Sequence, residues 1–375
     1  MEIRMVDLKG QYLRIKAEMD EAIQNVINDT AFIKGKYVKE FAENLESYLG
    51  TKHVIPCGNG TDALQLALMA MDYPRGSEII TTPFTFVATV EVICLLGLVP
   101  VFVDVDPDTF NIDPEKITAA ITNKTKAIIP VHLFGQSCEM EPLLQLAREH
   151  GLNLIEDTAQ AIGAKYELNG VMHNCGTIGD IGTLSFFPSK NLGCYGDGGA
   201  VMTDNEELAY KMNLYANHGS QRKYYYETIG INSRLDGMQA AILDVKLKYL
   251  NEYNQSRIAA ADRYDRLLSQ IEELSVPKRI ENGNHVFHQY TIKLNDRDYV
   301  RSELSAQGIP TGVYYPQPLH RQGIYKQYVT EAQDFSVSDH LGDQVLSLPM
   351  HSELTEEMQS HIILKLKDAL VKTPV

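Results

Sequence analysis

One lysine in unusual company is the first residue that could do chemistry. Lys190 lies in SFFPSKNLGCYGDGGAV (185–201), among aromatics, serines and glycines instead of on a solvated helical face. A partly desolvated lysine has a lowered pKa and can form a Schiff base with a carbonyl cofactor. Taken alone, an ordinary loop lysine is the better reading. Asp157 is the second. In NLIEDTAQAIGA (153–164) it closes an apolar strand, and in open α/β sheets ligands gather outside that strand end. Its carboxylate suits a cationic ring nitrogen, a metal or a ribose hydroxyl, or merely caps the next helix. The third is the turn in CGNGTDALQLAL (57–68), where Gly58 and Gly60 permit a tight bend. Gly60, Thr61 and Asp62 then offer amides at a helix N-terminus, a natural phosphate site. The plainer reading is a βα turn capped by Thr61 or Asp62.

Groups so placed need an alternating fold to hold them. From about Val54 to Thr203, short β-branched runs alternate with helical patterns. The strands expected are HVIPC (53–57), EIITT (78–82), VPVFVDV (99–105), AIIPVHL (127–133), NLIEDT (153–158), GTLSFF (182–187) and GAVMT (199–203). In TDALQLALMAM, Leu64, Ala67, Leu68 and Met71 recur at helical spacing and mark one buried face. Near-continuous apolar strands separated by helices predict an α/β class, with a mostly parallel sheet between helices. Residues 1–50 read as helical. Beyond Leu235 one long amphipathic helix is expected through GMQAAILDVKLKYLNEYNQSRIAAADRYDRLLSQI. A strand (HQYTIKL, 288–294), a helix and an exposed aromatic-proline loop (VYYPQPLH, 313–320) follow. The division expected is a large domain over 1–250 and a smaller C-terminal α/β domain over 251–375.

Composition narrows the classes. The 375 residues include 34 Lys plus Arg against 49 Asp plus Glu, a formal net charge of −15. That balance argues against nucleic acid as a partner, which needs a basic footprint. Hydrophobic residues at 44% and charged residues at 22% are ordinary for a globular chain and exclude disorder, collagen and coiled coil. Cys57, Cys94, Cys138, Cys175 and Cys194 are scattered without a C-x-x-C pair, so reduced thiols are expected, with no disulfide framework and no metal site. The N-terminus MEIRMVDLKGQYLRIK lacks a signal peptide's apolar core, and Gly97, Pro100 and Asp104 interrupt the longest apolar stretch. A soluble cytoplasmic protein without membrane association is expected. DVDPDTFNIDPE (104–115) imitates a calcium loop, but Thr109 stands where glycine is required. YGDGGA precedes a strand instead of a helix, which defeats a dinucleotide fingerprint, and no G-x-S-x-G elbow supports a serine hydrolase.

The order of the surviving motifs is phosphate turn, aromatic strand end (PFTFVAT), strand-end Asp157, then Lys190 in an aromatic-serine loop. It resembles the fold-type I pyridoxal-phosphate enzymes. More closely, the chain is similar to sugar aminotransferases of the DegT/StrS family over nearly its whole length. VDLKGQY (6–12), FIKGKYVKEFA (32–42), GNGTDALQLAL, EDTAQAIGA, SFFPSKNLG and GINSRLDGMQAAIL (230–243) carry the likeness. CGNGTDALQ, SFFPSKNLGCYGDGGA, NSRLDGMQAAIL and VYYPQPLHRQ look most like the branch acting on UDP-2-acetamido-2-deoxy-3-oxo-D-glucuronate. One departure is Tyr314-Tyr315-Pro316, where many relatives carry His-Tyr-Pro.

The resemblance implies a fold-type I aminotransferase: a homodimer using pyridoxal 5′-phosphate to move nitrogen from L-glutamate to a 3-keto UDP-sugar. The product would feed a surface polysaccharide such as lipopolysaccharide. It implies Lys190 as the covalent anchor and proton carrier, and Asp157 as partner of the ring nitrogen. Phe86 would stack on the ring, Gly60, Thr61 and Ser185 would cradle the phosphate, and Gln160 would meet the ring hydroxyl side. Asn232 would reach the phosphate from a neighbouring subunit, and Arg234 would meet a carboxylate. Tyr314, Tyr315 and His320 would line the sugar-nucleotide pocket, a structural His320 being the other reading. A dTDP-linked 3-keto or a 4-keto sugar is the alternative substrate. Lys190 opposes the dehydratase relatives, in which histidine replaces that lysine, and a regulator on the same scaffold is a remote alternative.

Overall fold

The computed structural model describes residues 2–330 and 332–371. The chain builds β1 (His53–Cys57), β2 (Glu78–Thr81), β3 (Val99–Phe102), β4 (Thr125–Ile128) and β5 (Asn153–Asp157). A hairpin, β6 (Lys165–Leu168) with β7 (Val171–Asn174), precedes β8 (Ile181–Ser185) and β9 (Gly199–Thr203). Seven of these form one sheet in the order β1-β9-β8-β5-β4-β2-β3. Its β2–β3, β2–β4, β4–β5 and β5–β8 pairs are parallel, whereas β9 runs against both of its neighbours.

Period-two alternation explains why this sheet is covered on both faces. Val201, Ile155, Ala127 and Ile79 point into a core with Leu64 and Leu68 of the helix Gly60–Met71. Ala200 and Met202 point the other way, onto Phe41 and Leu45 of the helix Lys36–Leu49 and Leu243 of the helix Gly237–Leu247. A smaller antiparallel sheet joins β10 (Leu274–Ser275), β11 (Tyr290–Leu294) and β12 (Val345–Leu348). Tyr264 and Leu268 of the helix Leu250–Leu268 and Ile362 and Leu366 of the helix Glu356–Val371 cover it, and Ile3 joins that core.

Three local expectations change. The single long helix is two, Gly237–Leu247 and Leu250–Leu268, with the break at Lys248 and Tyr249. The second helix must leave the large-sheet core at Leu250 and reach the small-sheet core at Ala260. A continuous apolar period cannot show that change of partner. The hairpin β6–β7 was not expected, because its burial is mixed and its second strand is half exposed. The VYYPQPLH loop is exposed only at Pro316 and Gln317, whereas Pro318, Leu319 and His320 are buried. Among the described residues no helix is long and apolar enough to cross a membrane.

Candidate active site

β5 ends on Asp157 at the carboxyl edge of the sheet, and a cavity of about 510 Å³ opens there. Gly60, Thr61, Phe86, Asp157, Gln160, Ser185, Lys190, Tyr314 and Tyr315 all stand in its walls. Asp157 is 4% exposed. Its Oδ2 accepts from Thr89 Oγ1 at 2.8 Å and its Oδ1 from the Ala159 amide at 3.2 Å. Burial raises its pKa above the ordinary carboxylate value; those two bonds and the charges of Lys190 and His132 oppose the rise.

Lys190 sits on the connection between β8 and β9, whose ends are paired at Ser185 and Gly199. Burial lowers its pKa to about 8, with the charge of Asp157 pulling the other way. Two groups of opposite sign are thus held in one desolvated space, each shifted toward neutrality by burial and restrained by the other.

The phosphate turn is built by close approach. Asn59, and neither Thr61 nor Asp62, caps the helix Gly60–Met71: its side chain accepts from the Asp62 amide at 2.8 Å. A Cβ on Gly60 would lie 2.7 Å from Ser185 Cβ, so only glycine lets the helix start against that serine. Ser233 Oγ braces the turn from behind, accepting from the Gly58 amide at 2.9 Å and donating to Asp62 Oδ2 at 2.6 Å. Gln160 Oε1 accepts from the Phe134 amide at 2.8 Å while its Nε2 donates to Tyr315 Oη at 3.3 Å. Phe86 is half exposed toward the cavity, its ring 6.4 Å from that of Tyr315.

Three expected residues lie elsewhere. Arg234 lines a second cavity of about 520 Å³ together with Lys34, whose pKa is lowered first by burial and then by the Arg234 charge. Asn232 pairs with Asn217 through an isolated bridge and lies in the wall of neither cavity. His320 is buried, its ring 4.5 Å from Phe335 and its Nε2 3.0 Å from Asp339 Oδ1. The cavity also gathers Asn59, Thr89, Ser189, Asp197, His288 and Gln289, which the sequence reading passed over. Thr89 had a signal, standing three residues after Phe86 in PFTFVAT. His288 had none, since nothing local distinguishes it from the start of a buried strand.

The donor set fits pyridoxal phosphate: a helix start for a dianion, a cradle that a Cβ on Gly60 would fill, a buried carboxylate for a ring nitrogen, and a desolvated amine. Fold and site together define a pyridoxal-phosphate-dependent aminotransferase of the α/β class. The chain belongs to the DegT/DnrJ/EryC1/StrS aminotransferase family, whose profile matches residues 13–367. It is 46% identical to the pleiotropic regulatory protein of Geobacillus stearothermophilus, covering 98% of each chain. It is 44% identical to the UDP-N-acetyl-3-dehydro-α-D-glucosamine 3-aminotransferase of Acidithiobacillus ferrooxidans, over 96% of each. With the UDP-2-acetamido-2-deoxy-3-oxo-D-glucuronate aminotransferase of Pseudomonas aeruginosa it shares 43% identity, over 94% of this chain and 96% of the other. Among solved structures it superposes on a DegT DnrJ EryC1 StrS aminotransferase from Brucella abortus with a TM-score of 0.93, at 41% identity over 98% and 99% of the two chains. NtdA from Bacillus subtilis, solved with bound cofactor PMP, matches with a TM-score of 0.87 and 34% identity, over 95% of this chain and 82% of that one.

Proposed function

We propose that this aminotransferase carries an amino group from L-glutamate to C3 of a UDP-linked 2-acetamido-3-ketosugar, of which UDP-2-acetamido-2-deoxy-3-oxo-D-glucuronate is the first choice. The product is a 3-amino sugar for a surface polysaccharide such as lipopolysaccharide. The enzyme works in the cytoplasm as a homodimer. The observation that carries the reading is the meeting of Lys190, Asp157 and the Gly60 helix start in one cavity, in a chain whose relatives include two named 3-ketosugar aminotransferases.

Bound pyridoxal phosphate supplies an electron sink that makes a neighbouring C–H acidic. The residues do the rest. Gly60, Thr61 and Ser185 would hold the phosphate, and Phe86 would cover one face of the ring. Asp157, whose charged form the Thr89 and Ala159 bonds favour, would face the ring nitrogen. Lys190 would take the proton from Cα of the donor and return it two bonds away, on the far side of the transferred nitrogen; a pKa lowered to about 8 lets it exchange protons near neutrality. Gln160 and Tyr315 fix the ring-hydroxyl side, and Tyr314 faces the sugar. Arg234 and Lys34 form a cationic face suited to an anionic group held by a second subunit, and Asn232, paired with Asn217, would reach the phosphate of that subunit.

A regulatory role is the second reading, favoured by the name of the Geobacillus relative. The full set of Lys190, Asp157 and phosphate turn supports catalysis over it. The test is an absorbance spectrum of the purified protein, taken before and after L-glutamate and then with a panel of nucleotide ketosugars. A visible band that bleaches with glutamate and returns with a UDP-3-ketosugar is expected. Return with a dTDP-sugar alone would overturn the nucleotide, and a protein that never shows the band would overturn the catalytic reading.

A further inference from the structure

His288 shares the cofactor cavity with Lys190 and is 7% exposed. The segment that bears it is fixed from several sides. Arg257 Nη1 donates to the Phe287 carbonyl at 3.0 Å and to that of Met350 at 3.1 Å. Asn191, the residue after Lys190, donates through Nδ2 to the Val286 carbonyl at 2.9 Å. The Val286 amide donates to Gly135 O at 2.8 Å, and the Gln289 amide to Phe134 O at 3.2 Å. Gly135 has φ +101°, and a Cβ there would lie 2.8 Å from the His288 amide nitrogen, so glycine alone allows the two backbones to meet.

Held this firmly, the imidazole still makes no hydrogen bond through either ring nitrogen to a described residue. Nδ1 is sealed from solvent without a partner, which leaves Nε2 as the nitrogen open to the cavity. Burial first, and then the positive charges of Lys190 and Arg257, hold its pKa well below the usual histidine value, so the ring is neutral. A neutral ring that turns its accessible nitrogen toward an ammonium must present a lone pair there and keep its proton on Nδ1.

We propose that His288 is a positioning residue for Lys190: its Nε2 accepts a hydrogen bond from Lys190 once that amine has been displaced from the cofactor and carries the transferred proton, fixing the line along which Lys190 takes and returns it. This rests on the reading of Lys190 as the cofactor lysine. A misdirected proton carrier leaves the cofactor bound but slows the proton step.

The experiment follows bleaching of the cofactor band by L-glutamate in a single turnover, with hydrogen or deuterium at Cα, in wild-type, H288F and H288Q holoenzymes. H288F is expected to slow bleaching on the order of tenfold, the size of one lost hydrogen bond. It should also raise the deuterium isotope effect. H288Q, which returns an acceptor near the Nε2 position, is expected to restore most of the rate and the wild-type isotope effect. A slower H288F with an unchanged isotope effect, or an H288Q as slow as H288F, would overturn the proposal in favour of plain packing; wild-type kinetics in H288F would also overturn it. Should H288F not fold, H288Q decides: a rate within about threefold of wild type and an unchanged isotope effect support the role, and a raised isotope effect sinks it. The lysine reading is judged separately, because a band that survives in K190A overturns that reading whatever His288 does.

Discussion

Thr89 Oγ1 and Asp157 Oδ2 lie 2.8 Å apart, with the hydroxyl donating. That bond opposes the burial that raises the Asp157 pKa. In T89V the carboxyl should titrate higher still. Because the ionised form is the working one, activity is lost as pH falls through that pKa. The acid limb of the kcat/KM profile should therefore move to higher pH by about one to two units, the equivalent of a hydrogen bond to a charged group. A pH–rate series on wild type and T89V checks this, and an unmoved acid limb counts against it.

K190A removes the desolvated amine without disturbing the paired ends of its loop at Ser185 and Gly199. Turnover should fall by at least about 10³-fold, and the visible band of covalently held cofactor should vanish. Spectra at matched cofactor concentration provide the check.

G60A forces a methyl group to within 2.7 Å of Ser185 Cβ. The helix start and the serine must separate, at a cost of about 1–3 kcal/mol in packing. Cofactor affinity should weaken by about tenfold or more, while S185A, which removes only the hydroxyl, should weaken it less. Equilibrium titration of the apoprotein with pyridoxal phosphate distinguishes the two.

Lys246 is buried, donates through Nζ to the Gly193 carbonyl at 2.7 Å, and has its pKa pulled by burial from 10.5 to about 8. Between those values the unfolded chain binds the extra proton, so stability rises with pH; below about 8 the full penalty applies. Wild type should therefore gain on K246M by up to roughly 3 kcal/mol as pH increases from 7 toward 10. Denaturant melts of both proteins at each pH measure the difference, and a wild-type stability minus K246M stability that stays constant or falls contradicts it.

How far the fold was legible depends on what each pattern encodes. The strands from HVIPC to GAVMT are apolar enough to declare themselves and each has a counterpart, although the one expected over 127–133 is β4 at Thr125–Ile128 and the one expected over 99–105 ends at Phe102. The reversal of β9 is invisible, since a strand buried on both faces reads alike in either direction. Asp157 was readable because it ends an apolar run, and Gly60 because glycine follows a strand and opens a helix. Asn59 as the cap, the Thr89 bond and the entry of His288 each depend on where another segment docks, which no local spacing reports. His320 shows the converse: the resemblance offered it for the sugar-nucleotide pocket or for a structural role, and the chain's own geometry sets it against Phe335, outside the wall of the Lys190 cavity. Arg234, expected beside the Asn232 that serves a neighbouring subunit, lies on the second cavity.

The reversed strand has a practical consequence. Because β8 and β9 are antiparallel neighbours, the Lys190 segment leaves the sheet at Ser185 and re-enters it opposite, at Gly199. No crossover helix ties its length to the rest of the architecture. The segment is therefore exchangeable as a unit where the ties of Asn191 to Val286 and of Gly193 to Lys246 are kept: a relative's version grafted between these two rungs should leave the sheet's register unchanged. Such chimeras would allow the lysine's surroundings to be varied as one unit.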